Sequence, residues 1–393
     1  MAQSPGATYL LVVNAGQHDR ENCLVHAALH APVVNSVFAA GPVSVRLVEL
    51  EGDGSPRHEA PAQLDEQGKL TWLLAGHTAA GQQRRYLVDL RAPGPAGSQI
   101  EIATRTDHLV LSAAGKLMTR YVFLGAWKPH FYPLLGPHGS VVRGASGEHQ
   151  HQTGLFLGYG GHGEGGSTNI WSDWDEPPYG PCGKMLHQAF ERLRGGPVYG
   201  HIVERIAYIK PTGDKILDEC RDMRVYPLPG GEKIVDITIR VPPPDDPGAH
   251  PFILAARVAD TMRIRDHGKP RLPDGTYPLL DPPGEIENSE GQCGEEEANG
   301  KHASWCDYAG KVGEGWSGIA LFDHPANYEF PGRFHAGAYG CMSVSHHYPP
   351  EPPPAGQVTW MVRVYVHAGV AGKVANKYQD FVDPPKVTVT TGA

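Results

Sequence analysis

The density of chain-breaking residues constrains this sequence most: 49 glycines and 36 prolines are spread over 393 positions. Proline has no amide proton for a helix ladder, and glycine is at ease in turns. Long helices are therefore disfavoured, and short strands joined by turns are favoured. Apolar residues make up 40% and charged residues 20%, which permits a substantial core and argues against global disorder. The length allows one large domain or two ordinary ones. Residues 10–14, 43–49, 70–74 and 85–90 read as strands of a small β domain over residues 1–95, ending in a linker or wide turn at Ala92-Pro93-Gly94-Pro95-Ala96-Gly97. Residues 96–393 read as a larger antiparallel β-sandwich, with strands at 100–103, 108–112, 116–123, 153–158, 201–210, 217–226, 233–241, 317–322 and 358–366. The turn Pro211-Thr212-Gly213-Asp214 marks a meander between two of these. The clearest helix signal is 372–381, and the Pro-rich loops 242–251, 270–283 and 349–354 are long enough to be functional or mobile. The fold class is all-β: stacked antiparallel sheets rather than a propeller.

Net charge is −9 with scattered basic residues, so no cationic stripe suits a nucleic-acid backbone. The N-terminus has no positive leader region, and no window approaches the roughly 20 apolar residues of a membrane helix. The expectation is a cytoplasmic protein with no membrane partner. The six cysteines (Cys23, Cys182, Cys220, Cys293, Cys306 and Cys341) form no Cys-x-x-Cys pair and read as free buried thiols.

Chemistry is densest at Glu148-His149-Gln150-His151. If this segment is extended, His149 and His151 project from one face, since strand side chains alternate with period two. Two imidazoles beside a carboxylate suit proton transfer near neutral pH or hold part of a metal site, and the competing reading is a pair of polar strand residues satisfied by backbone carbonyls. A divalent metal is one option, with His149 and His151 as candidate ligands and His187, His324 or His335 as a third. Asp323-His324 either orients a ring or holds a turn. His162 sits in a Gly-rich stretch that precedes no helix, so nucleotide binding there is rejected. Trp171 is a candidate sugar-stacking platform beside Asp173 and Asp175, although Trp171 and Trp174 suit core or rim packing equally. Asp173, Asp175 and Glu295-Glu296-Glu297 are candidates to include general acids, although a run of three Glu is more often a solvated loop. Arg143 and Lys301 are candidate cations for a substrate oxygen.

These segments together resemble a bacterial family labelled PmoA-like, or "methane oxygenase". The resemblance runs through Trp127-Lys128-Pro129-His130-Phe131-Tyr132-Pro133-Leu134, Gly139 to Arg143, Glu148 to Phe156, Asn169-Ile170-Trp171 and Gly183 to His187. It is closest at Asn288-Ser289-Glu290-Gly291, Gly300-Lys301, Trp305 to Gly310 and Gly318 to His335. Gln152 replaces the second His of the family's doublet, Thr153 replaces an Arg, and Glu148 replaces an Asp. A membrane oxygenase requires transmembrane helices, which this chain lacks. The resemblance implies instead carbohydrate metabolism and a supersandwich related to mutarotases. It also implies a route in which a 3-keto group acidifies the neighbouring C–H and a glycoside is cleaved by elimination.

The resulting expectation is a carbohydrate-active enzyme, a glycoside lyase or hydrolase acting on a small carbohydrate or glycoside. Its catalytic candidates are Glu148, His149, His151, His187, His324 and His335. Trp171, Arg143, Asn288, Lys301 and Asp323 are the expected substrate contacts. The alternatives are a mutarotase or epimerase, a non-catalytic sugar-binding protein and, more distantly, a metal-dependent oxygenase.

Overall fold

The computed structural model describes residues 8–39, 43–90, 92, 94, 99–145, 148–160, 169–176, 180–243, 252–349 and 356–391. Strand accounts for 53% and helix for 9%, which makes the protein all-β. Its chain divides into two compact units: residues 1–100 with 195–199 and 376–393, and residues 101–194 with 200–375.

The first unit is a small sandwich. In its five-stranded sheet Lys386–Thr391, Thr8–Asn14, Gln83–Asp89, Arg46–Leu50 and Pro56–Ala60 lie side by side, and a three-stranded sheet holds Arg20–Ala28, Lys69–Thr78 and Ala62–Leu64. Tyr9, Leu11 and Val13 alternate inward and meet Val25, Trp72, Tyr86 and Val88 in one core. Residues well beyond 95 belong to this unit as well. The C-terminal strand returns to pair with Thr8–Asn14, from Tyr9 opposite Thr391 to Asn14 opposite Lys386. Buried Arg20 anchors this return through Asp380 at 3.1 Å. The helix Ala31–Ala39 was not expected from its β-branched residues, yet burying Val33 and Val34 against the core outweighs that weak propensity. The proposed linker lies mostly outside the described residues.

The second unit is a large antiparallel sandwich. An eight-stranded sheet runs, in order, Lys184–Arg194, Gly200–Ile209, Lys215–Pro227, Lys233–Val241, Val358–Ala368, Gly315–Asp323, Trp305–Val312 and Glu285–Asn288. The expected meander is present, with Gly200–Ile209 paired to Lys215–Pro227 across a turn in which Gly213 takes φ +92°. Facing it is a ten-stranded sheet whose middle strands are Arg333–Gly337, Cys341–His346, Phe252–Arg257, Leu155–Tyr159 and His130–Gly136. The two sheets close on aromatic side chains: Phe252 lies 4.3 Å from Trp360 and 5.8 Å from Tyr208 between ring centroids, and Tyr159 lies 5.4 Å from Tyr208. Alternation then determines the opposite face. Phe252, Leu254 and Ala256 point into the sandwich, so Ile253, Ala255 and Arg257 point out of it.

The helix expected at 372–381 is observed as Val374–Val382, after a 3₁₀ turn. Glu295, Glu296 and Glu297 form the first turn of a short helix, Gly294–Ala298, instead of a loop. Carboxylates are favourable there, and the Glu297 carboxylate accepts the Cys293 amide at 3.0 Å. All six cysteines are free, but Cys293 is exposed. The loops 242–251 and 349–354 lie largely outside the described residues, as does His162.

Candidate active site on the outer face of the ten-stranded sheet

Strand register builds the floor of this site. Phe156 lies opposite Ala255, Ala255 opposite Ser343, and Ser343 opposite His335, so one row crosses four strands. In the next row Arg257 faces Cys341. Phe156, Trp171, Ala255 and Cys341 form a small apolar cluster here, with Ile253 and Tyr339 at its edge. Trp171 lies against the strand at Gly158, where a Cβ would come within 2.6 Å of the indole. Only glycine lets the ring come this close.

The His149–His151 segment arrives by a turn, not a strand. This corrects the expectation of an extended segment, because the strand starts only at Leu155. His149 sits in the left-handed region at φ +55°, and its carbonyl accepts the Gln152 amide at 2.9 Å. Gly154, at φ +68°, passes so close to Phe131 that a Cβ would meet its carbonyl oxygen at 2.1 Å. The turn still brings both rings together, with centroids 5.8 Å apart. His151 is buried and lies 6.3 Å from Trp171 and 6.1 Å from Trp174.

Tyr339 is the hub. Its ring lies 5.1 Å from that of His149 and 5.9 Å from that of His267, and its hydroxyl is 3.0 Å from His335 Nε2. The Arg257 guanidinium stands 4.7 Å over the ring. Arg257 is fully buried, and among the described residues none of its three guanidinium nitrogens has a hydrogen-bond partner; Glu148 Oε1 lies 3.7 Å from it. Glu148 also lies 3.1 Å from His267 Nδ1 and 3.8 Å from Arg263. Arg143 donates to Asp260 at 2.8 Å and to the Glu148 carbonyl, which fixes the turn. Burial and then the Arg257 charge hold His149 below the ordinary histidine range, with Glu148 opposing them. Burial likewise lowers His267 and pushes the Tyr339 phenol up. The site thus presents neutral imidazoles beside a protonated phenol, a base and a hydrogen-bond donor at neutral pH.

Two cavities open on this face. One, about 400 Å³, is lined by Trp171, His335, Tyr339, Ser343, Ser345 and Arg333 among others. The other, about 480 Å³, includes Lys128, His130, Tyr132, His151, Phe156 and Asp173. Trp171 walls the first and Phe156 the second, with the two rings packed at 5.4 Å.

Glu148, His149, His151, Arg143, His335 and Trp171 therefore share one region, and the remaining candidates do not join it. His187 belongs to the sandwich interior, where its Nδ1 meets Glu204 at 2.7 Å. It sits on a strand of the other sheet. Asp323 is fully buried and organises a loop: it accepts from Asn327 and from the Gly332 amide, each at 2.7 Å, and lies 2.9 Å from His346. His324 holds the same turn through the Ala326 amide at 3.1 Å. Asn288, 1% exposed, caps its own turn by accepting the amides of Glu290 and Gln292. Lys301 is exposed on a two-residue edge strand next to Gly300, which lines the first cavity. Trp171 is 5% exposed and Trp174 42%, so the indole with a face to offer is Trp174. Among the described residues, no three His, Cys, Asp or Glu groups are placed to hold a metal ion.

Sequence reading missed Tyr339, Arg257 and His267. Each is a single residue outside any motif. The one available signal was the position of His267 at the entrance to the Pro-rich loop 270–283, whose Tyr277 stacks on it at 4.0 Å.

A model for a family of unknown function (DUF6807) matches residues 108–379, and the chain belongs to that family. A solved protein in the glycosyl hydrolase family 38 from Enterococcus faecalis is similar in fold with 9% identity and a TM-score of 0.46. The similarity covers 99% of this chain but spans about half (48%) of that protein. No curated protein matches. Among the described residues, no helix is long and apolar enough to cross a membrane.

Proposed function

We propose that this protein is a carbohydrate-active enzyme that removes a carbon-bound proton from an oxidised sugar and cleaves its glycosidic bond by elimination. The observation that carries this reading is the His149–Tyr339 pair, a neutral imidazole and a protonated phenol 5.1 Å apart between ring centroids, with Arg257 over the phenol ring. A 3-keto group makes the adjacent C–H acidic enough for a histidine base. Tyr339, joined to His335, donates to the ketone oxygen as it gains charge, and the buried Arg257 charge supports that donor. Trp174 offers an aromatic face to the C–H side of a sugar ring, and Ser343 and Ser345 offer hydroxyls in the first cavity. The resemblance of the His149 and Trp171 segments to the PmoA-like family favours the same substrate class.

Product analysis by mass spectrometry tests this proposal. The protein, as purified and after chelation, is incubated with plain and 3-oxidised glycosides. Cleavage of the 3-oxidised member alone is the expected result. Recovery of intact sugar with solvent deuterium at a ring carbon would point to epimerisation, and no change in either glycoside would sink the enzymatic reading.

A further inference from the structure

The second cavity lies outside the His149–Tyr339 pair, and the mechanism above leaves it idle. It is not an apolar hole. Lys128 is 4% exposed and donates to the Trp171 carbonyl at 3.0 Å and to the Asp173 carboxylate. Both members of this ion pair line the cavity, together with His130 and His151. Gln150 and His151 of the turn line this same cavity, so the pair lies beside that turn. Phe156 links the two cavities: its ring packs on Trp171, and Lys128 Nζ lies 5.6 Å from its centroid.

We propose that this cavity receives the leaving group of the glycoside and that the Lys128–Asp173 pair gives the departing oxygen its proton. The inference rests on the elimination reading and deepens it: the substrate has a sugar on one side of the Trp171–Phe156 wall and a second hydroxyl-bearing group on the other. In this step His149 takes the proton from the carbon beside the ketone, and the C–H electron pair becomes the new C=C bond. The C–O bond breaks with its electrons on the leaving oxygen, which takes one proton from the pair. The pair recovers a proton from water in the cavity, and His149 releases its own to solvent. The products are an unsaturated keto sugar and an alcohol, with no oxidant or reductant consumed. Burial lowers Lys128 and raises Asp173, which narrows the gap between them and suits a proton that has to move.

Leaving-group chemistry tests the pair. A methyl 3-keto glycoside needs a proton on its departing oxygen, whereas a nitrophenyl 3-keto glycoside barely does. Asp173→Asn and Lys128→Met are expected to lose about 10²–10⁴-fold in turnover on the methyl substrate and under about tenfold on the nitrophenyl one. Equal losses on both, or none on either, would overturn the assignment while leaving the elimination reading in place. Inability of the unaltered protein to cleave either substrate would remove both. If these variants melt early, Ala145→Trp supplies an independent test, because Ala145 is an exposed residue lining the same cavity. It should raise KM for a 3-keto disaccharide relative to the methyl glycoside, and an unchanged ratio would count against the subsite.

Discussion

Two polar clusters in the large sandwich contain histidine, arginine, glutamate and tyrosine, and they differ in one respect. Between the sheets, His187 meets Glu204, Glu204 accepts from the Tyr121 hydroxyl, and Arg221 bridges Tyr121 at 3.2 Å and Glu219 at 2.6 Å. Tyr208 completes the chain by donating to Glu219 at 2.6 Å. Among the described residues of that cluster, every buried polar atom has a partner. On the outer face, three nitrogens of Arg257, Nε of Arg143, Oε1 of Gln152, Oγ of Ser172 and Nδ2 of Asn169 are buried without hydrogen-bond partners among the described residues. Leaving such groups unmatched costs about 1–3 kcal/mol each. A satisfied network serves stability, whereas unmatched buried groups on one sheet face are what the proposed chemistry would use.

The predictions probe that difference. The largest effect is expected on turnover. His149→Asn keeps a residue at ease in the left-handed region but removes the base, and should lower turnover about 10²–10⁴-fold; His151→Ala removes only the neighbouring ring and should lower it less, each with an unchanged thermal midpoint. If either variant unfolds instead, the outer cluster is structural and the comparison collapses. Next comes the interior. Arg221→Met strands Glu219 and should destabilise the protein by about 3–5 kcal/mol in denaturant titration, while the folded fraction keeps its activity. Asp323→Ala removes the acceptor for Asn327, Gly332 and His346 and should cost about 1–3 kcal/mol. Its effect on KM would report how far the loop from 324 to 332 shapes the first cavity.

The smallest effect sharpens the comparison most, because it concerns charge alone. Arg257 lowers the His149 pKa, so Arg257→Met should raise it. The base works only when neutral, and the acid limb of the pH–rate profile should therefore move to higher pH. A profile that stays in place would disconnect Arg257 from His149. Linkage gives the companion sign for stability. A histidine held below its unfolded pKa of about 6.5 contributes stability above that value and loses it as pH falls towards the folded pKa. At His367 burial opposes the charged form, but the 2.8 Å contact with Asp307 and further hydrogen bonding raise the pKa on balance, so it works in the opposite direction: its stability is present below about pH 6.5 and is lost as pH rises through the folded pKa.

Much of the fold was readable because its strands carry local signals. Residues 217–225 alternate, 233–241 ends where the strand Lys233–Val241 ends, and the Gly213 turn names its own hairpin. Of the four strands under the site, Leu155–Tyr159 was expected at 153–158 and the other three were missed. Phe252–Arg257 is a short apolar run with no alternation, as suits a strand buried on one face and covered by the apolar cluster on the other. Arg333–Gly337 and Cys341–His346 are short and mix polar with small residues, so neither period stands out. His149 and His151 were singled out for a strand geometry that they do not adopt; a turn brought them together.

By itself, then, the sequence determined the all-β class, the scarcity of helix and the grouping of candidate residues near His149, His151 and Trp171, since these follow from local composition, alternation and spacing. Only the tertiary structure decided that Arg257, His267 and Tyr339 complete that region and that His187, His324, Asn288 and Asp323 serve the scaffold. Those outcomes depend on which strands become neighbours and in what register. A shift of one residue would turn Arg257 from the outer face to the core.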